Sequence, residues 1–186
     1  MRYSELKDSL ERCPVIAAVH ANQWTQALEA PPELIFLLDA NLLTIKQQCE
    51  EAHAAGKHLF VHMDLAEGIG RDRVGIRYLA EIGVDGILST KAQLIRWAKE
   101  QNLLAVQRFF LLDSQGMNSI SDMVHSTEPH LMEIMPGVIS KALKRFGEGP
   151  VPVIAGGLLE TKAEVTAALS CGATAVSTSR SELWYL

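Results

Sequence analysis

Two stretches near the C-terminus of this sequence carry the residue types that bind phosphate groups. Ala155-Gly156-Gly157 ends one apolar run, and Ser177-Thr178-Ser179 ends the next. Glycine lets backbone amides approach an anion closely, and a helix N-terminus offers free N–H groups and a partial positive charge. Ser179 and Glu182 have capping-box spacing, which predicts a short helix that begins at Ser179. The pattern predicts phosphate binding by Gly156, Gly157, Ser177, Thr178 and Ser179, unless these residues only form tight turns and helix caps.

Polar side chains also stand at the ends of the earlier apolar runs. His62 and Asp64 are two residues apart in LFVHMD, so their side chains point to the same face of a strand. With carboxylates from other strand ends they could hold a divalent metal, or one could act as a general base. Alternatively, the carboxylates bind ligand hydroxyls or pair with nearby cations. The ligand spacing is loose, so we predict neither a metal nor a cofactor. The predicted ligand pocket consists of Asp39, His62, Asp64, Lys91, Arg108 and Glu133.

Two of these pocket candidates are cations. Arg108 lies inside the apolar run AVQRFFLLD. A cation in such a run is costly unless it meets an anion, so Arg108 should pair with a carboxylate or a ligand. Lys91 follows Ser89-Thr90 at the start of a predicted helix, where it either contacts the ligand or is simply solvated.

Basic residues cluster on two predicted outer helices. Arg71, Arg73 and Arg77 belong to the helix after the third strand, and Lys141, Lys144 and Arg145 to the helix after the sixth. Either cluster could contact the phosphate backbone of a nucleic acid, although most such charge runs are ordinary solvated faces.

Eight apolar runs of strand length must position these side chains. They begin near residues 14, 34, 59, 86, 105, 131, 151 and 173, and helix-like segments separate them. Thr90 with Gln93 and Thr161 with Glu164 predict two capped helix starts. The pattern predicts an α/β fold in which residues 1–186 form a single (β/α)8 TIM-type barrel. Only RSELWYL follows the eighth run, so the final helix should be truncated. A doubly wound sheet is the alternative, but it usually needs fewer strands.

Composition limits the class of protein further. The 186 residues are 48% hydrophobic, and 17 Lys and Arg against 22 Asp and Glu give a net charge of −5. This charge argues against a protein that coats nucleic acid by bulk electrostatics. No apolar run has the length of a membrane span, and the N-terminus is too charged for a signal peptide. We therefore expect a cytoplasmic protein with no membrane contact, whose three cysteines are reduced.

The strand ends, taken together, resemble a known family. VHMDLAEGIGRD, GILSTK, QRFFLLDS, MEIMPG, IAGGL and AVSTSRSELW are similar, in the same order, to segments of the glycerol uptake operon antiterminator regulatory protein family. The resemblance extends from about Pro14 to the C-terminus. It implies a transcriptional regulator whose barrel binds glycerol 3-phosphate and which promotes antitermination through leader mRNA. It also implies that the two C-terminal stretches hold the phosphate. The residues that would line the rest of the pocket and meet the glycerol hydroxyls are His62, Asp64, Lys91, Arg108 and Glu133. The first strand of the family often ends in arginine, where this chain has His20.

Two interpretations from different classes follow. The first is a ligand-gated, RNA-binding antiterminator without enzymatic activity. The alternative is a TIM-barrel enzyme, a transferase, isomerase or lyase, that acts on a small phosphorylated polyol. In the first interpretation the chain could form a homo-oligomer, because symmetry would repeat the Arg71–Arg77 face and so concentrate positive charge for RNA. Trp184, Tyr185 and Leu186 could cover the barrel wall or pack on a partner subunit.

Overall fold

Eight parallel strands form a closed barrel in the computed structural model, which describes residues 1–113 and 115–186. Each strand pairs with its neighbours in the chain, and the last closes on the first through Val15 and Val176. All eight strands lie within the apolar runs or extend one residue beyond them, so the predicted TIM barrel is confirmed. The strands are β1 (Val15–Val19), β2 (Leu34–Leu37), β3 (His58–His62), β4 (Gly86–Ser89), β5 (Leu104–Phe110), β6 (Leu131–Met135), β7 (Val153–Gly156) and β8 (Ala175–Thr178).

Helices precede β1 and follow the strands around the outside of the barrel. A 3₁₀ helix, Ser181–Tyr185, stands where a full final helix would lie, which confirms the predicted truncation. Its Trp184 is fully buried and donates from Nε1 to the Thr178 carbonyl at 2.9 Å. The α-helices are α1 (Tyr3–Arg12), α2 (Trp24–Glu29), α3 (Ile45–Ala54), α4 (Arg73–Glu81), α5 (Ala92–Glu100), α6 (Gly116–Thr127), α7 (Ser140–Gly147) and α8 (Lys162–Ser170), and a short 3₁₀ turn, Ala21–Gln23, precedes α2.

Alternate residues along the strands divide the core into two parts. One set points outward and packs on the helices, while residues such as Phe36, Phe60 and Val106 point inward and fill the barrel. Helix α1 adds Leu6 and Leu10 to this inner set. Because α1 leads into the start of β1, it closes the N-terminal end of the barrel. The open end is the one where the strands finish.

The predicted helix starts are only partly correct. Thr161 caps α8 together with Glu164, as its spacing indicated. Thr90 does not cap α5, because its hydroxyl donates to Asp64 and Lys91 occupies the cap position. The predicted helix start at Ser179 is also wrong, since the C-terminal 3₁₀ helix begins at Ser181. No helix in the described part of the chain has both the length and the apolar character that crossing a bilayer requires.

Replacing the cap residue Thr161 by alanine should lower the free energy of unfolding by about 1 kcal/mol, because the Glu164 N–H loses its acceptor. Urea unfolding at neutral pH measures the change. Thr166→Ala is the matched control, since Thr166 is exposed within the same helix and its hydroxyl only bonds back to Lys162. Equal effects of the two substitutions would contradict the capping role.

Candidate functional site

A small cavity opens at the C-terminal mouth of the barrel. Its volume is about 140 Å³, well below the size typical of drug-binding pockets, so it suits a small metabolite. A larger cavity of about 520 Å³ lies outside the barrel, next to α6 and α7, and carries none of the inward-facing strand residues. The mouth cavity is lined by Ala18, Leu38, Arg108, Glu133, Met135, Gly157, Leu158, Leu159, Ser177, Thr178 and Ser179.

A buried ion pair forms the polar floor of this cavity. Arg108 on β5 donates from Nε to Glu133 Oε2 on β6 at 2.5 Å. Ser177 on β8 donates its hydroxyl to the other carboxylate oxygen. The Glu133 side chain is fully buried, and the Arg108 side chain is 9% exposed. Arg108 therefore meets a carboxylate, as its place in an apolar run required, and its Nη2 has no protein partner among the described residues.

His62 on β3 stands beside this pair as a neutral imidazole. Burial and, to a smaller extent, the charge of Arg108 lower its pKa from 6.5 to about 4, although the charges of Asp64 and Glu133 act in the opposite direction. Its Nε2 lies 3.4 Å from Arg108 Nη1. Because arginine can only donate, Nε2 is the acceptor and Nδ1 carries the proton. Nδ1 has no partner with hydrogen-bond geometry among the described residues. The backbone of Leu38 nearby has only a small effect on the pKa of His62, which it raises.

Asp64 follows β3 and is fully engaged by the end of β4. Its carboxylate accepts from the Ser89 hydroxyl at 2.6 Å, the Thr90 N–H at 2.7 Å and the Thr90 hydroxyl at 2.8 Å. Burial raises the pKa of Asp64, but these hydrogen bonds lower it by more, so the pKa lies below its usual value. Asp64 thus fixes the shape of the mouth and is outside the lining of the cavity.

Asp39 and Lys91 also lie outside the cavity lining. The Asp39 carboxylate accepts from the Ala21 N–H at 3.0 Å and lies 3.3 Å from His20 Nδ1. Lys91 is exposed at the start of α5, and its backbone N–H donates to the Ser89 hydroxyl. The strand-end rule places these residues at the correct end of the barrel but does not show which of them point inward.

The loops after β7 and β8 bring free backbone amides to the cavity. The N–H groups of Gly157, Leu158 and Ser179 donate no hydrogen bond within the described residues. Gly157 has φ +70°, and a Cβ there would lie 2.7 Å from the Met135 methyl carbon. A Cβ on Gly156 would lie 2.5 Å from Glu133 Oε1. Both glycines are therefore needed for the loop to approach the floor of the cavity.

The hydroxyls of these loops are largely committed to the protein. Thr178 donates to the Leu159 carbonyl at 3.3 Å and accepts from the Arg180 N–H at 3.1 Å. The Ser177 hydroxyl donates to Glu133. Ser179 is exposed at the rim, and its backbone carbonyl accepts from the Gln23 side chain. The loops thus offer an anion mainly backbone amides.

Neighbouring glutamates neutralise two arginines of the basic face predicted on α4. Arg73 lies 3.4 Å from Glu100, and Arg77 lies 2.8 Å from Glu81. Arg71 precedes α4, so the predicted cluster is only partly on the helix. RNA binding by this face stays a prediction.

No metal site is evident in residues 1–113 and 115–186, where no group of three or more His, Cys, Asp or Glu side chains is arranged to hold an ion. Leu38 and Met135 contribute to the apolar wall of the cavity. Met135 was interpretable from the sequence as core or pocket lining, but Leu38 was missed. Strand alternation could have found Leu38, since it is in phase with inward-facing Phe36, as Met135 is with Glu133.

The fold and the site together define a (β/α)8 barrel protein whose mouth holds a small cavity with a polar floor and an apolar wall. The model of the glycerol-3-phosphate responsive antiterminator family matches residues 15–184. The chain therefore belongs to this family.

Three proteins from different organisms are similar to this chain over most of its length. The protein YgcP of Escherichia coli K12 is 34% identical over 180 residues, which cover 95% of this chain and 94% of YgcP. The glycerol uptake operon antiterminator regulatory protein of Listeria monocytogenes has a TM-score of 0.86 and 34% identity, over 92% of this chain and 95% of that one. A glycerol uptake operon antiterminator-related protein of Thermotoga maritima has a TM-score of 0.82 and 30% identity, over 91% and 96% of the two chains.

Proposed function

We propose that this protein is a glycerol 3-phosphate-responsive antiterminator that binds leader mRNA and holds its ligand at the mouth of the barrel. Family membership supports the regulatory role. The observation that carries the ligand site is the meeting of three free amides with the Arg108 guanidinium at one cavity of about 140 Å³. Backbone amides and an arginine are groups that commonly bind phosphate.

The two ends of glycerol 3-phosphate would meet different parts of the cavity. The phosphate would lie against the β7 and β8 loops, where the amides of Gly157, Leu158 and Ser179 are free and Arg108 Nη2 has no protein partner. The glycerol hydroxyls would reach Ser177 and Glu133 at the floor. Thr178 and Gly156 would act by shaping the loops.

Ligand binding can alter RNA binding only if the ligand prefers one conformation of the protein over another. A change from 1% to 99% of the RNA-binding state would need about a 10⁴-fold preference. An antiterminator acts on transcripts as they are made, so we place its action in the cytoplasm.

Calorimetric titration with glycerol 3-phosphate should give saturable heat for one site, with much weaker heat for inorganic phosphate or glycerol alone. Gly157→Asp should abolish this heat, because the new side chain displaces the Met135 methyl group and brings a carboxylate to the anion site. The expected loss of affinity is at least about 100-fold, or about 3 kcal/mol.

Gly56→Asp is the matched control for this titration. Gly56 has φ +71° and an open surrounding, and it lies in the turn before β3, at the opposite end of the barrel. The Gly56→Asp substitution therefore places the same side chain and charge on a backbone of similar conformation, away from the mouth of the barrel. Normal binding by Gly157→Asp, or no heat with the folded unmodified protein, would contradict the proposed site.

A further inference from the structure

The larger cavity is a groove between α6 and α7 with an apolar floor and polar edges. Met132 and Phe146 contribute to the floor, while His125 and Arg145 stand at the edges. The Arg145 guanidinium lies 5.7 Å from the centre of the Phe146 ring and donates to Asn118 on α6 at 2.9 Å. With a volume of about 520 Å³, the groove has room for a planar aromatic group.

Unpaired cations stand on α7, the helix that contributes Arg145 and Phe146 to the groove. Lys141, Lys144 and Arg145 are all exposed, and their spacing places them on one face of α7. None of the three forms an ion pair with any residue that the structure describes. They differ in this from Arg73 and Arg77 on α4, which are both paired with glutamates.

Two cations on α5 extend the basic region. Arg96 donates to the Ser126 hydroxyl at 2.7 Å, and Lys99 donates to the backbone carbonyls of Thr127 and Glu128. Both side chains reach across to the end of α6 without meeting a carboxylate. We call the five cations on α5 and α7 together with the groove the α5–α7 face.

The acidic residues near this face only partly cancel its charge. Asp122 lies on α6, Glu128 and Glu148 follow α6 and α7, and Asp113 lines a small cavity together with Lys141. Glu100 at the end of α5 is already paired with Arg73. Five unpaired cations against four carboxylates leave a net positive surface on a chain whose net charge is −5.

We propose that the α5–α7 face binds single-stranded RNA, with phosphates along the cations and an unstacked base in the groove. Apolar and aromatic surfaces beside arginine are how proteins hold splayed bases, and a cationic rim is how they follow the backbone. A polyanion matches the positive rim, which a neutral protein partner would leave unpaired. The inference rests on the proposed antiterminator function and names the surface that performs it.

The position of the groove also connects it to the mouth cavity. Met132 and Glu133 are consecutive on β6, and their side chains point to opposite faces of the strand. Met132 forms part of the groove floor, and Glu133 forms the floor of the mouth cavity. A ligand that moves β6 would therefore shift both floors at once.

The test begins with RNA selected from a random-sequence library by the full chain saturated with glycerol 3-phosphate. The affinity of the selected RNA is then measured by fluorescence anisotropy between about 50 and 200 mM salt. The variant carries Lys144→Glu and Arg145→Glu. We expect at least a tenfold loss of affinity and a fall of about 1.4 in the slope of log K against log salt, as for two lost phosphate contacts. Calorimetry should show unchanged binding of glycerol 3-phosphate.

The control variant carries Arg73→Glu and Arg77→Glu, which change the net charge by the same amount on α4. It should retain RNA affinity within a few-fold. Loss of binding in this variant alone, or unchanged affinity and slope in the α7 variant, would overturn the α5–α7 face while leaving RNA binding intact. A changed sedimentation coefficient of the α7 variant with unchanged RNA affinity would instead indicate an interface between copies. If no RNA is selected by folded, ligand-bound protein, the antiterminator function fails as well.

Discussion

Replacement of Arg108 by methionine is expected to lower the free energy of unfolding by about 3 to 5 kcal/mol. The reason is that Glu133, whose side chain is fully buried, loses the only cation within ion-pair distance in the described residues. The same substitution removes the only cationic side chain in the described lining of the mouth cavity, so binding of glycerol 3-phosphate should be abolished. Urea unfolding and calorimetric titration measure the two effects separately.

A second substitution separates stability from binding. Arg108→Met combined with Glu133→Gln removes both charges, and it should recover much of the lost stability because no isolated buried charge remains. It should not recover ligand binding. Lys141→Met, an exposed cation changed in the same way, should alter stability by less than about 0.5 kcal/mol. A loss below about 1 kcal/mol for Arg108→Met alone would show that the pair is not isolated from solvent.

Acidification should destabilise the protein through His62 before most carboxylates are protonated. Its pKa falls from 6.5 to about 4 on folding, so the unfolded chain binds the proton more tightly. The neutral imidazole therefore contributes its full stability above about pH 6.5, and this contribution is lost as the pH falls towards 4. The difference between the unfolded and folded pKa values corresponds to about 3 kcal/mol of stability. Solvent screens little of it, because the side chain is only 7% exposed.

Comparison of the unmodified chain with His62→Asn isolates this contribution. Between pH 7 and pH 4.5, the free energy of unfolding should fall more steeply with decreasing pH for the unmodified chain than for His62→Asn. The difference in slope should be at most that due to one additional proton bound by the unfolded state. His125→Asn is the matched control, because it removes an exposed histidine from α6 by the same substitution. Parallel pH curves for the unmodified chain and His62→Asn would show that His62 does not change its pKa on folding.

Local patterns predicted the architecture of this chain well. The strands are largely apolar because both of their faces are covered, and eight such runs separated by helical segments are typical of a (β/α)8 barrel. The buried position of Arg108 was also predictable, because a cation inside an apolar run requires an anion.

Contacts between distant residues explain what the sequence could not supply. Thr90 has the spacing of a helix cap, but Asp64, 26 residues earlier, accepts its hydroxyl. Arg73 looks like a free cation until Glu100 on the next helix is placed beside it. The residues of the cavity wall could not be separated from those of the rim, because strand ends alone do not reveal which side chains face inward.

Closure of one end of the barrel has a kinetic consequence. Because Leu6 and Leu10 of α1 seal the N-terminal end, a ligand in the mouth cavity must leave by the opening through which it entered. A molecule bound over the rim without preference between empty and occupied barrels would slow entry and release by the same factor. It would leave the equilibrium constant untouched and lengthen the residence time of the ligand. The protein would then stay in its ligand-bound state for some time after the surrounding concentration of ligand has fallen.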